Sequence, residues 1–316
     1  MLINVIGFGW SGSGALLDCM RQDLRFNVIP QEINFISDPT GIVNLFEKLC
    51  NPNDFNSKAY AIENFVKLLD ISFRNHIPKF RYGQNLGKFT KNKIEDELEL
   101  LFQQLNVEKT NLNSRVDFYN LNVYQYWIKL IKNMLKINEK KFTVNSQVDS
   151  VHFRDSITNF LEKLFQLENT YTVLDQGLRI EHLAYNDVIF HNLKTIIVNR
   201  NPKDIYSEQI KGSFLFGANP TTDNIKNFCK NYLAQYFLAS SIIGKNVTMI
   251  DFEDLVFDQE ATLKEISTFL DIDPIEINSG FLYPSRRNIE IYNSYLSQEQ
   301  IELIDQNTNC IKQGIY

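Results

Sequence analysis

The sequence predicts an α/β fold: a parallel sheet of about five strands flanked by helices, interrupted by a long, mainly helical insertion. Three observations lead there. The chain opens with an apolar strand, a glycine–serine loop, a helix and a second strand, which is the start of a βαβ unit. Three more apolar runs follow residue 170, with helical periodicity after each. Between these blocks the hydrophobic spacing is that of helices, with no fixed repeat.

The elements follow in order. Leu2 to Ile6 is an apolar run bounded by Gly7, the pattern of a short buried strand. Gly7 to Gly14 is the loop. Ala15 to Leu24 reads as a helix, with apolar residues at 16, 17, 20 and 24. Phe26 to Ile29 reads as the second strand. Helical spacing then covers Ile42 to Leu49, Ala61 to Phe73, Lys93 to Leu105, Phe118 to Ile137 and Ile157 to Leu167. Strand signals are weak there, so 37–168 is read as an insertion within a single domain spanning 1–316. Tyr171 to Leu174 is the third strand, ending at Asp175-Gln176-Gly177. Lys194 to Asn199 is the fourth, ending at Arg200-Asn201-Pro202, and a helix should start at the proline. Asn224 to Ile243 is a long helix, Asn246 to Phe252 the fifth strand, and Thr262 to Leu270 a helix beside it. The tail holds a basic loop and a final helix over Gln298 to Asp305.

Composition narrows the function. The 316 residues are 44% hydrophobic and 22% charged, ordinary globular usage. A net charge of −6 argues against a broad nucleic-acid-binding face, so cations for an anionic ligand must be gathered locally. The four cysteines form no C-x-x-C pair and the four histidines no H-x-x-x-H spacing, so no disulfide scaffold and no metal site are signalled. The apolar opening is too short for a membrane span, and the chain reads as cytoplasmic. Abundant Lys, Asn, Ile and Phe reflect genome composition.

The loop Gly7-Phe8-Gly9-Trp10-Ser11-Gly12-Ser13-Gly14 stands where a strand hands over to a helix. Backbone N–H groups and the helix N-terminus make such a turn an anion cradle, and glycine lets the backbone come close. A nucleoside-triphosphate loop fits Gly7 and Gly12 but lacks its lysine, since Ser13 stands there. A dinucleotide loop fits Gly7, Gly9 and Gly12, with Glu32 placed 20 residues after Gly12 to hold a ribose. That alternative makes the chain an NAD(P)-dependent oxidoreductase. It gives no role to Arg200, an arginine at the carboxyl edge of a parallel strand whose fork can grip a phosphate.

Together these segments resemble the sulfotransferases that use 3′-phosphoadenosine 5′-phosphosulfate (PAPS). Ser11-Gly12-Ser13 matches the family's loop for the 5′-phosphosulfate, and Val198-Asn199-Arg200-Asn201-Pro202-Lys203-Asp204 its motif for the 3′-phosphate. Phe252-Glu253-Asp254-Leu255-Val256 matches a third motif, and Ser285-Arg286-Arg287-Asn288 a late basic loop. The resemblance spans about 1–36 and 170–292. It implies a P-loop-like fold and sulfuryl transfer to a hydroxyl on a carbohydrate or other small molecule, without a metal. It implies nucleotide contacts from Gly9, Trp10, Ser11, Gly12, Ser13, Gly14, Arg200, Ser207, Arg286, Arg287 and Asn288. Members acting on glycans carry a glutamate base after the second strand, where this chain has Glu32; Asp175 would orient the acceptor, and His182 is a weaker base candidate. A bacterial surface-glycan role is in keeping with the missing membrane anchor.

Two departures stand out. Trp10 occupies the position of the family's lysine or arginine, so another cation must substitute (Arg21, Arg179 or Lys203), or the chain binds 3′-phosphoadenosine 5′-phosphate (PAP) with impaired catalysis. The family's helix serine falls eight residues after the arginine; here Ser207 is seventh and Glu208 eighth. In the insertion, Tyr119, Tyr124, Tyr126 and Trp127 read as a core stripe or as a surface for stacking sugar rings.

Overall fold

The computed structural model describes residues 1–51, 55–73, 94–110, 141–144, 147–165, 171–212, 220–278 and 280–312. The chain divides into two compact units. One comprises Met1–Asn34, Leu167–Asp187 and Asn192–Tyr316; the other comprises Phe35–Gln166 and Val188–His191.

The first unit is the expected α/β layer. β1 (Leu2–Gly7), β2 (Phe26–Glu32), β5 (Tyr171–Asp175), β6 (Leu193–Asn199) and β7 (Val247–Asp251) form one parallel sheet in the order β2-β5-β1-β6-β7. β1 is central and buried from Leu2 to Ile6, as a continuous apolar run in a covered parallel strand should be. One face packs Ile3, Val5, Val173, Ile196, Val198 and Ile250 against Leu16, Leu17 and Met20 of α1 (Ser13–Met20) and against Leu255, Leu263 and Ile266. Each such side chain contributes about 1.5–3 kcal/mol on full burial.

The second unit carries α2 (Ile42–Leu49), α3 (Phe55–Phe73), α4 (Ile94–Gln104) and α5 (Ser150–Phe165). It is held by aromatic contacts, Phe35 against Phe73 and Phe165, and Phe46 against Phe153. It also holds an antiparallel pair, β3 (Val107–Thr110) with β4 (Lys141–Val144), in a stretch whose strand signals are weak. The two strands are four residues each and far apart in the chain, so no hairpin turn announces them. The helix read over Phe118–Ile137 and its aromatic stripe lie outside the described residues.

Two further differences position the site. α1 ends at Met20, short of the expected Leu24, which stands 98% exposed beyond it. β2 continues past Ile29 through Pro30 to Glu32. Proline lacks the N–H a ladder needs, but β2 is the sheet edge, where this is tolerated. The register shifts between Val28 and Glu32, and Glu32 comes to lie opposite Asp175.

The order decides between two readings of the glycine loop. In a dinucleotide-binding half, β1 neighbours the second and fourth strands of the sheet. Here β1 lies between the third and fourth, and β2 is one strand further out. Glu32 thus ends a strand that is not β1's neighbour, unlike the acidic residue of a dinucleotide-binding half. The chain crosses from one side of β1 to the other between β5 and β6, so the crevice at their carboxyl ends is where such sheets take ligands.

A buried polar group pins that edge. Asn4 is fully buried in β1, donates from Nδ2 to the Leu178 carbonyl (2.9 Å) and accepts from the Leu178 N–H (3.1 Å). Asn4→Ala leaves both backbone groups buried and unpaired. It should cost about 2–4 kcal/mol in urea unfolding, whereas a loss under about 0.5 kcal/mol, the range of ordinary surface changes, would mean the loop after β5 holds itself.

Candidate active site

The glycine loop leaves β1 at Gly7 and turns through left-handed backbone at Gly9 (φ 71°), Trp10 (φ 59°) and Gly12 (φ 95°). Glycine is required twice for lack of space. A Cβ on Gly7 would stand 1.9 Å from Ser11 Oγ, and one on Gly12 would stand 2.3 Å from the Phe252 ring. Ser11 is buried, and its Oγ accepts the Phe8 N–H at 3.2 Å. A tryptophan held in left-handed backbone costs of order 1–3 kcal/mol. α1 begins right after Gly12 with no side-chain cap and no acidic residue in its first turn. Ser13 and Gly14 of its first turn line the crevice, and a helix N-terminus is suited to hold an anion.

Arg200 is the partner of this loop. It leaves the end of β6, is 3% exposed, and lies over the Phe252 ring at 5.1 Å. Nη1 donates to the Trp10 carbonyl at 2.9 Å and Nη2 to the Asn288 carbonyl. Nε is buried and has no hydrogen-bond partner among the described residues. Burial lowers the guanidinium pKa, and the nearby Asp204, Glu208 and Glu253 counter this in part. The rest of the motif is structural. Asn201 Oδ1 caps α6 (Pro202–Lys211) by accepting the Lys203 N–H, and the Asn201 N–H donates to Glu253. Lys203 pairs with Asp305 at 3.1 Å. Buried Asp204 accepts the N–H groups of Glu290 (2.9 Å) and Tyr292 (3.2 Å).

Two cavities open on this edge. The first, of about 500 Å³, is lined by Gly12, Ser13, Gly14 and Arg200 together with Asp18, Glu208, Phe252, Ser285 and Asn288. The second, of about 420 Å³, is lined by Gly9, Glu32, Asn34, Asp175, Gln176 and Arg179. Trp10 and Ser13 line both, and Trp10 is 54% exposed. Gln176 Nε2 donates to Ser13 Oγ at 3.2 Å, tying the two walls together.

The expected site residues divide accordingly. Gly12, Ser13, Gly14, Arg200 and Asn288 come together in the first cavity, and Gly9, Glu32 and Asp175 in the second; Ser11 is buried beneath the loop. Ser207 is not brought to either. It is fully buried and its Oγ donates to the Lys203 carbonyl one turn back, so Glu208 faces the cavity instead. Helical geometry is the reason, since one residue turns a side chain by about 100°. Arg286 and Arg287 are exposed and line neither cavity; Arg286 stacks on Tyr283 and Phe257. Ser285 lines the cavity in their place. His182 lies on a 3₁₀ turn against Tyr185 and lines neither. No group of three or more potential metal ligands occurs among the described residues, and no described helix is long and apolar enough to cross a membrane.

Comparison with known proteins adds likeness and no more. No family model matches the chain, and no curated protein matches it. Among solved structures it is similar to the sulfotransferase domain of the curacin biosynthetic pathway, at 14% identity, covering 100% of this chain and 91% of that one (TM-score 0.41). It is similar to the sulfotransferase domain of an olefin synthase from Synechococcus PCC 7002, at 12% identity over 97% and 93% (TM-score 0.45). A mouse sulfotransferase complexed with PAP is similar at 16% identity over 49% and 74% (TM-score 0.33).

Asp175 gives the site a pH signature. Burial, and then the neighbouring Glu32 charge, raise its pKa to about 6, with Arg21 acting the other way. The folded state therefore holds this proton more tightly than the unfolded chain does. That contribution to stability is complete below about pH 4 and is lost as pH rises through about 6. Asp175→Asn should accordingly stabilise the protein more at pH 7 than at pH 4.5 in paired urea titrations; equal effects at both values would place Asp175 in water.

Proposed function

We propose that this chain is a sulfotransferase that moves a sulfuryl group from PAPS to a hydroxyl of a carbohydrate or other small-molecule acceptor. The observation that carries the reading is the pairing of the two cavities. One has the anion cradle and Arg200 with an unpartnered buried Nε; the other has two carboxylates; Trp10 and Ser13 belong to both. A buried N–H donor without a partner is costly and calls for an acceptor, which a nucleotide phosphate supplies.

In this reading the N–H groups from Gly12 to Gly14 hold the phosphosulfate end, and Arg200, Ser285 and Asn288 face the other end of the nucleotide. Glu32, exposed at the sheet edge, takes the acceptor proton as the acceptor oxygen attacks sulfur. The bond from sulfur to the bridging oxygen breaks, and its electron pair leaves with the phosphate. Asp175 orients the acceptor hydroxyl. Backbone dipoles and guanidinium groups offset the developing charge, so no step calls on a metal. The same proposal places the enzyme in the cytoplasm.

A second reading, PAP binding without turnover, is favoured by Trp10 at the family's cation position and by Glu208 facing the cavity. Thermal shift with PAP, NAD(H) and ATP in parallel separates the nucleotide classes. Ligand at a hundredfold its Kd stabilises by about 2.7 kcal/mol, several degrees for a chain of this size. PAP alone should give that shift, and Arg200→Ala should lose most of it. A shift with NAD(H) and none with PAP would overturn the proposal. Release of labelled sulfate from PAPS then divides turnover from binding. Glu208→Ser removes a negative charge from the nucleotide cavity and should tighten PAP binding by about tenfold, roughly 1.4 kcal/mol; unchanged affinity would set Glu208 apart from the 3′-phosphate.

A further inference from the structure

The two cavities are lined by different chemistry. Phe252, Phe281 and Leu282 give the first one apolar walls, which suit a purine base. The second has none of these. Glu32 and Asp175 bring carboxylates to it, Asn34 and Gln176 amides, and Arg179 a guanidinium; Trp10 is the one apolar side chain among the described residues that line it. Small-molecule pockets are ordinarily apolar with a few polar groups. Polar walls with a single aromatic ring reverse that proportion. A phenol, a sterol or a fatty alcohol would bury these polar groups without hydrogen-bonding them, which is costly. The lining suits a ligand with many hydroxyls and one flat apolar face.

Trp10 is placed to meet that face. It is 54% exposed and lines both cavities. Its backbone is left-handed (φ 59°), a conformation that glycine accepts and a bulky side chain resists. Strain of this kind persists where the surroundings fix it, and it gathers at ligand sites. Here Gly9 precedes it in the same conformation (φ 71°), and Arg200 Nη1 holds its carbonyl at 2.9 Å. The indole carbons Cζ2 and Cη2 lie 3.5 Å from where a Cβ on Gly212 would stand, so the end of α6 supports one edge of the ring. More than half exposed, the residue adds little to a core. It stands two residues before Gly12, at the phosphosulfate end of the proposed donor, so the base of that nucleotide is not its partner.

We propose that Trp10 is the platform on which this chain holds its acceptor, and that the acceptor is a pyranose. The C–H face of the sugar stacks on the indole. Its hydroxyls meet the carboxylates and amides of the second cavity, one of them at Glu32. The inference rests on the proposed sulfuryl-transfer site, and it narrows the acceptor from small molecules in general to six-membered sugar rings. It also gives the tryptophan a role of its own: where the matching loops carry a cation for the donor, this loop carries a ring for the acceptor.

Saturation-transfer NMR tests this without turnover. The probes are the methyl pyranosides of glucose, galactose, mannose and N-acetylglucosamine, the open-chain glucitol, and 2-naphthol. Each is measured with and without PAP on wild type, Trp10→Tyr and Trp10→Ala. At least one pyranoside should bind, with saturation strongest at its ring C–H protons, and glucitol and 2-naphthol should bind about tenfold more weakly or not at all. Trp10→Ala should weaken the pyranoside by about tenfold, and Trp10→Tyr, which keeps a ring, should retain most of the affinity. Calorimetry with PAP is the control. Position 10 meets Arg200 through its carbonyl, so the alanine variant should keep its PAP affinity, which also shows that it folds. Binding by no pyranoside, glucitol or 2-naphthol binding as well as the pyranosides, or an unchanged pyranoside affinity in Trp10→Ala would each overturn the inference. A parallel loss of PAP affinity would make the ring a support for the nucleotide and overturn it too. Failure of the wild-type protein to bind PAP would instead overturn the donor reading, and the probes without PAP still read Trp10.

Discussion

The site depends on one side chain making two backbone contacts that the chain could not otherwise make. Arg200 binds the Trp10 carbonyl with one nitrogen and the Asn288 carbonyl with another. The first carbonyl belongs to the turn after β1, the second to a segment 278 residues further on (from 10 to 288). Neither segment belongs to the sheet at those points. A guanidinium suits this because its donors diverge in a fixed plane and its charge persists when buried. The Phe252 ring beneath it supplies a favourable face, and the same ring fills the space a side chain at Gly12 would need. The clasp thus sets the shape of the anion cradle as well as its far wall.

The residues after Arg200 extend the same logic. Asn201 and Pro202 start α6, and Asp204 on its first turn takes the N–H groups of Glu290 and Tyr292. Lys203 reaches Asp305 on the last helix, Gln298–Lys312. Five consecutive residues fasten three parts of the chain around the end of β6. Burying Arg200 and Asp204 is expensive unless each is hydrogen-bonded, and each is, apart from one nitrogen of Arg200. That nitrogen is shielded from solvent, while the residue that carries it lines the cavity at the start of α1.

Much of this was legible in residues. The strand–glycine loop–helix opening and the Arg200-Asn201-Pro202 turn are local signals with local causes, and the five strands follow from apolar runs. What the sequence hid depends on partners distant in the chain. β2 runs on through Pro30 because it is the sheet edge, and no local pattern tells which strand is the edge. Asn4 looks like a flaw in an apolar strand until Leu178 is seen against it. Ser207 and Glu208 differ by one step around a helix, and only the facing of α6 decides which meets the cavity. The β3–β4 ladder joins strands too short and too far apart to be paired by inspection.

Amide hydrogen exchange on Arg200→Gln tests the clasp most directly. The reporters are the N–H of Phe8, held by Ser11 within the loop, and those of Glu290 and Tyr292, held by Asp204. Loss of protection at both sets together, with the β1 and β6 amides unchanged, is the result a shared clasp requires. Protection retained at either set would show that the loop and the C-terminal segment are each ordered without Arg200, and that the two walls of the cavity are independent.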